Sequence, residues 1–431
     1  KAAREQPVGI LAFPKEIWTA RTNRYTGWER FPLVDPLGFV ALDKRDRADE
    51  GQGRLRVTTT DGTPTENLNP ISAMHRYRGT FTELLYDPLG RRYNGTVNPW
   101  LAEDWSIDST DGTTATITLR SGLRWHDGQP LTASDVAFTF RFLNDTTLGN
   151  GETPVPSPRF RGRASLVDSS EIHNTRTVEL DLGDTSPAVA RRVFTTPILP
   201  AHVWESMTAR ASAAGLNMTP YPTEAIITPN RKPMGSGPVQ FDGSTKGESL
   251  VLTRFEDHFL HRDASNEPAQ EFTGGVPFKR LSVRIVPSDA AAVELVGADE
   301  ADATAMSIAP NSVSRVGEHD SLELYTADSR SFYHIGFNTR RVPLGNGHFR
   351  RLLMRLLDKE YVVDEALDGY ARPGVTPMTG TEWVPADLTW QGEDPQVPFI
   401  GSDGSLDTDR AKNLFEEAGF EYDDSGRMIA R

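Results

Sequence analysis

The sequence predicts an α/β protein of two or three domains, and three observations predict it. At 431 residues the chain exceeds what one ordinary hydrophobic core organises. Several segments alternate apolar and polar residues with a period of two, as half-buried strands do. Others repeat apolar residues at i, i+3, i+4 and i+7, the stripe of a packed helix.

From the N-terminus, Val8–Phe13 is a short apolar strand followed by the aromatics Trp18, Tyr25 and Trp28, and Asp43–Gly53 reads as a charged linker. A new start is visible at Arg54, where a strand opens into the Thr/Pro/Asn-rich loop of LRVTTTDGTPTENLNP. Residues 81–100 carry a helix-like segment and an Asn94-Gly95 turn, a pair that accepts positive φ.

The block Leu101–Phe140 is the most informative part of the chain. Trp105 and Ile107 alternate with polar residues, Asp111-Gly112 supplies a turn, and Thr114 to Leu119 alternate again as a return strand. Leu123–Trp125 is expected to be a third strand, ended by an Asp127-Gly128 turn. Thr132 with Asp135 three positions later forms a carboxylate variant of the capping box. Val136, Phe140 and Leu143 then line one face of the helix it starts.

Further on, Thr177–Leu180, Leu250–Arg254 and Lys279–Val286 read as strands, with helix-like segments at Pro187–Val193 and Ala291–Val296. Phe349, Leu352, Leu353, Leu356 and Leu357 form a helical stripe, as do Ala411, Leu414, Phe415 and Ala418 before Gly419.

Composition narrows function. A net charge of −14 argues against nucleic-acid binding, which needs a basic face. Cysteine is absent, which excludes disulfides, thiolate metal sites and a Cys nucleophile. No run approaches the roughly 18 apolar residues of a membrane-spanning helix. The templates of phosphate loops, dinucleotide folds, nucleophile elbows and HExxH metal sites find no match. His258 and His261 beside Glu256 and Asp257 have a spacing that could hold a metal on a helix. Without a third ligand they read as a solvated loop, and His126-Asp127 reads as a turn. Neither a catalytic set, a metal site nor a cofactor is expected.

The order of these landmarks resembles the extracytoplasmic solute-binding proteins of the dipeptide/oligopeptide/nickel class (family 5), which serve ABC transporters. LAEDW…DGTTATITLRSGLRWHDGQPLTASDVAFTF is similar to the family signature. TPILPAHVW, MGSGPVQFD, LVLTRFEDHF, FKRLSVRIVPSDAAAVELVGADEADA (with Gly297 and Asp302), SFYHIGFNTRRVPLG and DTDRAKNLFEEAGF follow in the family's order.

The resemblance implies an α/β, two-lobe periplasmic-binding-protein-like fold of class II type, with an extra β-rich subdomain at about residues 80–185. Lobe one is expected over 51–275 and the first part of an incomplete lobe two over 276–431. Residues 1–50 resemble the family's closing strand, so a tandem copy, a permutation and an assembled fragment all stand as explanations.

The implied function is capture of a peptide-like solute by hinge closure and delivery to the membrane permease of an ABC importer. A metal chelate or an oligosaccharide is the alternative ligand, and a hydrolase or peptidase the disfavoured alternative class. A monomer outside the cytoplasm is expected, tethered by lipid through a segment absent from this sequence or free. The ligand is expected at Thr60 and Asp61, at Gly235, Ser236 and Gly237, and at Tyr333 and His334.

Overall fold

The computed structural model describes residues 8–45, 53–71, 78–110, 113–145, 160, 162–205, 230–262, 272, 274–329, 331–374 and 407–429. The expected Asp111-Gly112 turn lies outside them. The elements that position the candidate site are, in chain order, β1 (Val8–Arg21), β2 (Arg54–Thr59), α1 (Arg78–Leu85), β3 (Gly90–Tyr93) and β4 (Thr96–Pro99). Then come β5 (Ala102–Asp108), β6 (Thr114–Leu119), α2 (Ala133–Asp145), β7 (Ser169–Ile172), β8 (Thr177–Asp181), β9 (Val239–Thr245) and β10 (Ser249–Arg254). β11 (Arg280–Ile285), α3 (Asp289–Gly297), β12 (Ala303–Thr304) and β13 (Leu322–Asp328) follow. β14 (Tyr333–Gly336), α4 (Gly347–Arg355), β15 (Ala371–Pro373) and α5 (Thr408–Glu417) complete the set.

The chain divides into two compact units. The larger holds Trp18–Ile308 and Ser314–Tyr325; the smaller holds Lys1–Ile17, Ala309–Val313 and Thr326–Arg431.

In the larger unit one sheet runs in the order β9-β10-β11-β2-β12-β1-β13. β2 lies between β11 and β12, parallel to both. Its Leu55 and Val57, with Leu281, Val283 and Ala303 beside them, are at most 1% exposed, so the sheet's centre is core. The connection between β11 and β12 runs through α3, whose N-terminus is capped by Ser288 Oγ accepting from the Ala291 N–H at 3.2 Å. Ala292, Val293 and Val296 of α3 are wholly buried.

A second, antiparallel sheet has the order β5-β6-β8-β7. Ala115, Ile117, Val178 and Leu180 point into its core, as do Val136, Phe140 and Leu143 of α2. Half of the expected capping box forms: Asp135 Oδ2 accepts from the Thr132 N–H at 2.9 Å and from the Thr132 hydroxyl at 3.3 Å, while the Asp135 N–H goes to the Thr132 carbonyl. Asp135 Oδ1 also accepts from the Ala201 N–H at 3.1 Å, which ties the helix start to a distant loop.

In the smaller unit the first part of β1 pairs antiparallel with β14 and β15. Asp407 caps α5 by accepting from the Arg410 N–H at 2.9 Å, and Gly419 ends it at φ +89°.

β11 and β12 flank β2, so residues 276–308 lie with it in the larger unit. Tyr25 and Trp28 are wholly buried in that unit as well. Two expectations change. Leu123–Trp125 is no strand. Arg124 makes one isolated bridge to Pro130, and the Trp125 N–H turns back to the Gln129 carbonyl. The stripe from Phe349 stops early: α4 ends at Arg355, so Leu356 caps it rather than continuing the face.

Candidate functional site

The C-terminal ends of adjacent parallel strands are where α/β sheets place ligands, because the chain there turns away and leaves backbone groups at a crevice. In the larger unit, β2, β11 and β12 end together. The Val286 N–H donates to the Thr59 carbonyl at 2.9 Å, and the Ala305 N–H donates to the Thr58 carbonyl at 2.8 Å. Thr60 and Asp61 follow β2 directly.

The Thr60 N–H and hydroxyl both face Met306 Sδ, at 2.9 and 3.3 Å. Sulfur is a weak acceptor, so these donors are held without a strong partner. Asp61 makes an Asx turn, its Oδ1 accepting from the Thr63 N–H at 2.9 Å. Its other oxygen, Oδ2, is enclosed and has no hydrogen-bond partner among the described residues. Two donors and one carboxylate oxygen are thus held ready at one strand edge. Met306 was not legible in the sequence, since ATAMSIAP carries no motif.

Gly235, Ser236 and Gly237 sit elsewhere in this unit. The Gly237 N–H donates to the Leu85 carbonyl at 2.9 Å, so the loop packs on the end of α1. A Cβ on Gly235 or Gly237 would overlap the carbonyl oxygen of Leu85 or Leu84, which is why glycine is required. Ser236 is 3% exposed and its Oγ accepts from the Asp87 N–H at 3.4 Å. His126 closes the loop: its Nε2 meets the Gly237 carbonyl at 3.1 Å, and its Nδ1 accepts from the Gly235 N–H at 3.3 Å. Burial pushes the His126 imidazole down to about 4, against the pull of the Gly237 carbonyl.

The expectation that His258 and His261 lie in a solvated loop is overturned. His258 is 2% exposed and its Nε2 donates to Asp87 Oδ2 at 2.8 Å. The Leu260 N–H points at His258 Nδ1 at 3.3 Å. Asp87 Oδ1 also accepts from Trp100 Nε1 at 2.7 Å and from Arg91 Nη2 at 3.1 Å. Burial by itself raises the Asp87 carboxyl, but His258, Arg91 and Trp100 outweigh it and hold it below the ordinary value. His261 Nδ1 donates to the Phe255 carbonyl at 2.7 Å while its Nε2 accepts from the Val276 N–H at 3.1 Å. Burial, then the neighbouring His258, lowers it to about 4.

Asp302, the last of three acidic residues in the GADEAD stretch, is 1% exposed and clamped by Arg24 and Arg56, each 3.0 Å from its Oδ1. In the first cluster every partner of Asp87 is buried, while the second extends through Arg24 and Arg56 to the half-exposed Asp299. Among the described residues no three His, Cys, Asp or Glu side chains gather to hold a metal ion.

Tyr333 and His334 belong to the smaller unit, on β14 opposite Ala12 and Ile10 of β1. Tyr333 is 49% exposed and His334 is exposed. Phe332 packs edge-on against His334 at 5.5 Å and against Phe13 at 6.2 Å. The Arg372 guanidinium lies 4.3 Å over the Phe13 ring. The expected residues therefore fall into three groups: Thr60 and Asp61 just past the C-terminal end of β2, the Gly235–Gly237 loop, and Tyr333 with His334 on β14.

Residues 96–429 match the family described as bacterial extracellular solute-binding proteins, family 5 middle, and the chain belongs to that family. It is 26% identical to protein XP55 of Streptomyces lividans, over 95% of this chain and 66% of that protein. It is 23% identical to the oligopeptide-binding protein AppA of Bacillus subtilis, over 88% of this chain and 61% of AppA. The structure of AppA in complex with a nonapeptide superposes with a TM-score of 0.63 at 21% identity, covering 88% of this chain and 66% of that one. NikZ from Campylobacter jejuni in complex with Ni(L-His) gives 0.54 at 20% identity, covering 87% and 64%. These structural likenesses establish the two-lobe α/β fold class. The chain spans no more than about two thirds of the length of these relatives.

Proposed function

We propose that this chain is part of an extracytoplasmic receptor that captures a peptide-like solute and delivers it to the permease of an ABC importer. The observation that carries the reading is family membership over residues 96–429. The strand-edge site supports it, since donors and a carboxylate oxygen at the ends of parallel strands suit the main chain of an extended peptide. In the larger unit Thr60 and Asp61 would meet ligand with side chain or backbone, and in the smaller unit, taken by itself, Tyr333 and His334 are the candidate contacts. Gly235, Ser236 and Gly237 would act by keeping their loop in place. The receptor works as a monomer by closing over its ligand and catalyses no reaction.

Thermal unfolding in the presence of short peptides, oligosaccharides and nickel–histidine tests the proposal. A rise in melting temperature with intact peptide supports it. A rise with the chelate or the sugar alone replaces the ligand class, and appearance of cleaved peptide refutes the receptor reading.

A further inference from the structure

One stretch runs against the chain's acidity. Residues 330–357 hold six arginines and two histidines and not one Asp or Glu, in a protein with 60 acidic residues and a net charge of −14. At the average density about four carboxylates would stand there. The stretch builds a fixed turn in the smaller unit. The Arg340 N–H donates to Asn338 Oδ1 at 3.2 Å, the Arg341 N–H to the Asn338 carbonyl at 3.1 Å, and the Gly345 N–H to the Arg341 carbonyl at 2.8 Å.

The far side of the turn is anchored as well. The buried Arg350 donates through Nη1 to the Leu344 carbonyl at 2.6 Å, and Asn346 caps α4 by accepting from the His348 N–H at 2.8 Å.

What the turn presents is Arg340, Arg341 and Val342, all exposed, with Val342 at 69% the most exposed of the large hydrophobic residues described. Several arginines elsewhere pair with acids, namely Arg24, Arg30, Arg56, Arg91, Arg176, Arg254, Arg280, Arg284 and Arg315, whereas the exposed neighbours Arg191 and Arg192 do not among the described residues. The side chains of Arg340 and Arg341 make no ion pair or hydrogen bond among the described residues.

We propose that the Arg340–Arg341–Val342 turn docks on an anionic phospholipid surface. Two free guanidiniums reach phosphate oxygens while the valine between them and the next turn enters the headgroup layer, the chemistry of interfacial attachment. The footprint of a single turn is far below the roughly 800 Å² per partner of a stable protein interface, which favours lipid over an acidic protein. A net acidic molecule would be repelled by such a surface in other orientations, so the turn also sets which side faces it.

The test is co-sedimentation of the whole chain with phosphatidylcholine vesicles, with and without about one third phosphatidylglycerol, at low salt. Binding is expected only to the anionic vesicles and is lost near 1 M salt. Each arginine near such a surface is worth about fivefold in partition, so Arg340→Ser with Arg341→Ser weakens binding about 25-fold. Arg284→Ser, whose arginine pairs with Glu300, leaves binding unchanged. Equal binding to both vesicle types, no binding to either, or binding unaffected by the paired substitution overturns the proposal. Capture of polyglutamate without capture of vesicles overturns it in favour of an acidic polypeptide. All these substitutions are at exposed side chains, so folding is preserved.

Discussion

Replacing Asp87 by Ala removes the acceptor shared by three buried donors, and the structure sets the cost. Arg91 is 6% exposed and keeps a bond from Nη2 to the Glu83 carbonyl at 2.6 Å and its stacking over Trp100 at 4.9 Å. Its charge nevertheless loses its counter-ion, and breaking a buried pair in this way costs about 3–5 kcal/mol. The indole N–H of Trp100, itself wholly buried, and the Nε2–H of His258 also lose their acceptor, at about 1–3 kcal/mol each if nothing relaxes. His258 can refill part of that by turning or by admitting water. A net loss of about 4–8 kcal/mol is expected, a large share of the roughly 5–15 kcal/mol that holds a domain.

Urea unfolding of the larger unit, followed by tryptophan fluorescence, measures the loss at unchanged slope. Arg91→Met in the Asp87→Ala background removes the stranded charge. The double variant should therefore be at least about 1.5 kcal/mol more stable than the sum of the single losses. A loss under about 1 kcal/mol, or strict additivity of the two changes, would refute the account of Asp87 as the hub of the cluster.

Three further outcomes are expected. His126 and His261 are both held near 4 against an ordinary 6.5, so the unfolded chain takes up their protons first as the pH falls. Their stabilising contribution is whole above pH 6.5 and is lost as the pH drops through 4, by at most about 3 kcal/mol each before solvent screening reduces it. Melting temperature across pH 4 to 7 checks this, and a protein that grew more stable on acidification over that range would contradict it. Gly237→Ala forces a Cβ into the Leu84 carbonyl and should destabilise by about 2 kcal/mol or more, against near-neutrality for Gly243→Ala, where the added carbon meets nothing within 4 Å. Asp135→Ala loses the cap of α2 and the bond to Ala201 together, and denaturation should register about 2 kcal/mol.

The sequence by itself determined the local elements and the family. Period-two alternation from Thr114 to Leu119, the Thr132–Asp135 cap and the Asp407–Gly419 helix limits are written in neighbouring residues, because strand pleat, helix pitch and capping are short-range physics. Tertiary structure alone decided which groups meet. Asp87 and His258 lie 171 residues apart, and Thr60 and Met306 lie 246 apart, so no spacing rule brings them together. The same holds for residues 276–308, whose allegiance to the larger unit follows from β2 lying between β11 and β12. Sheet pairing satisfies backbone donors across the fold, and that requirement acts at any separation along the chain.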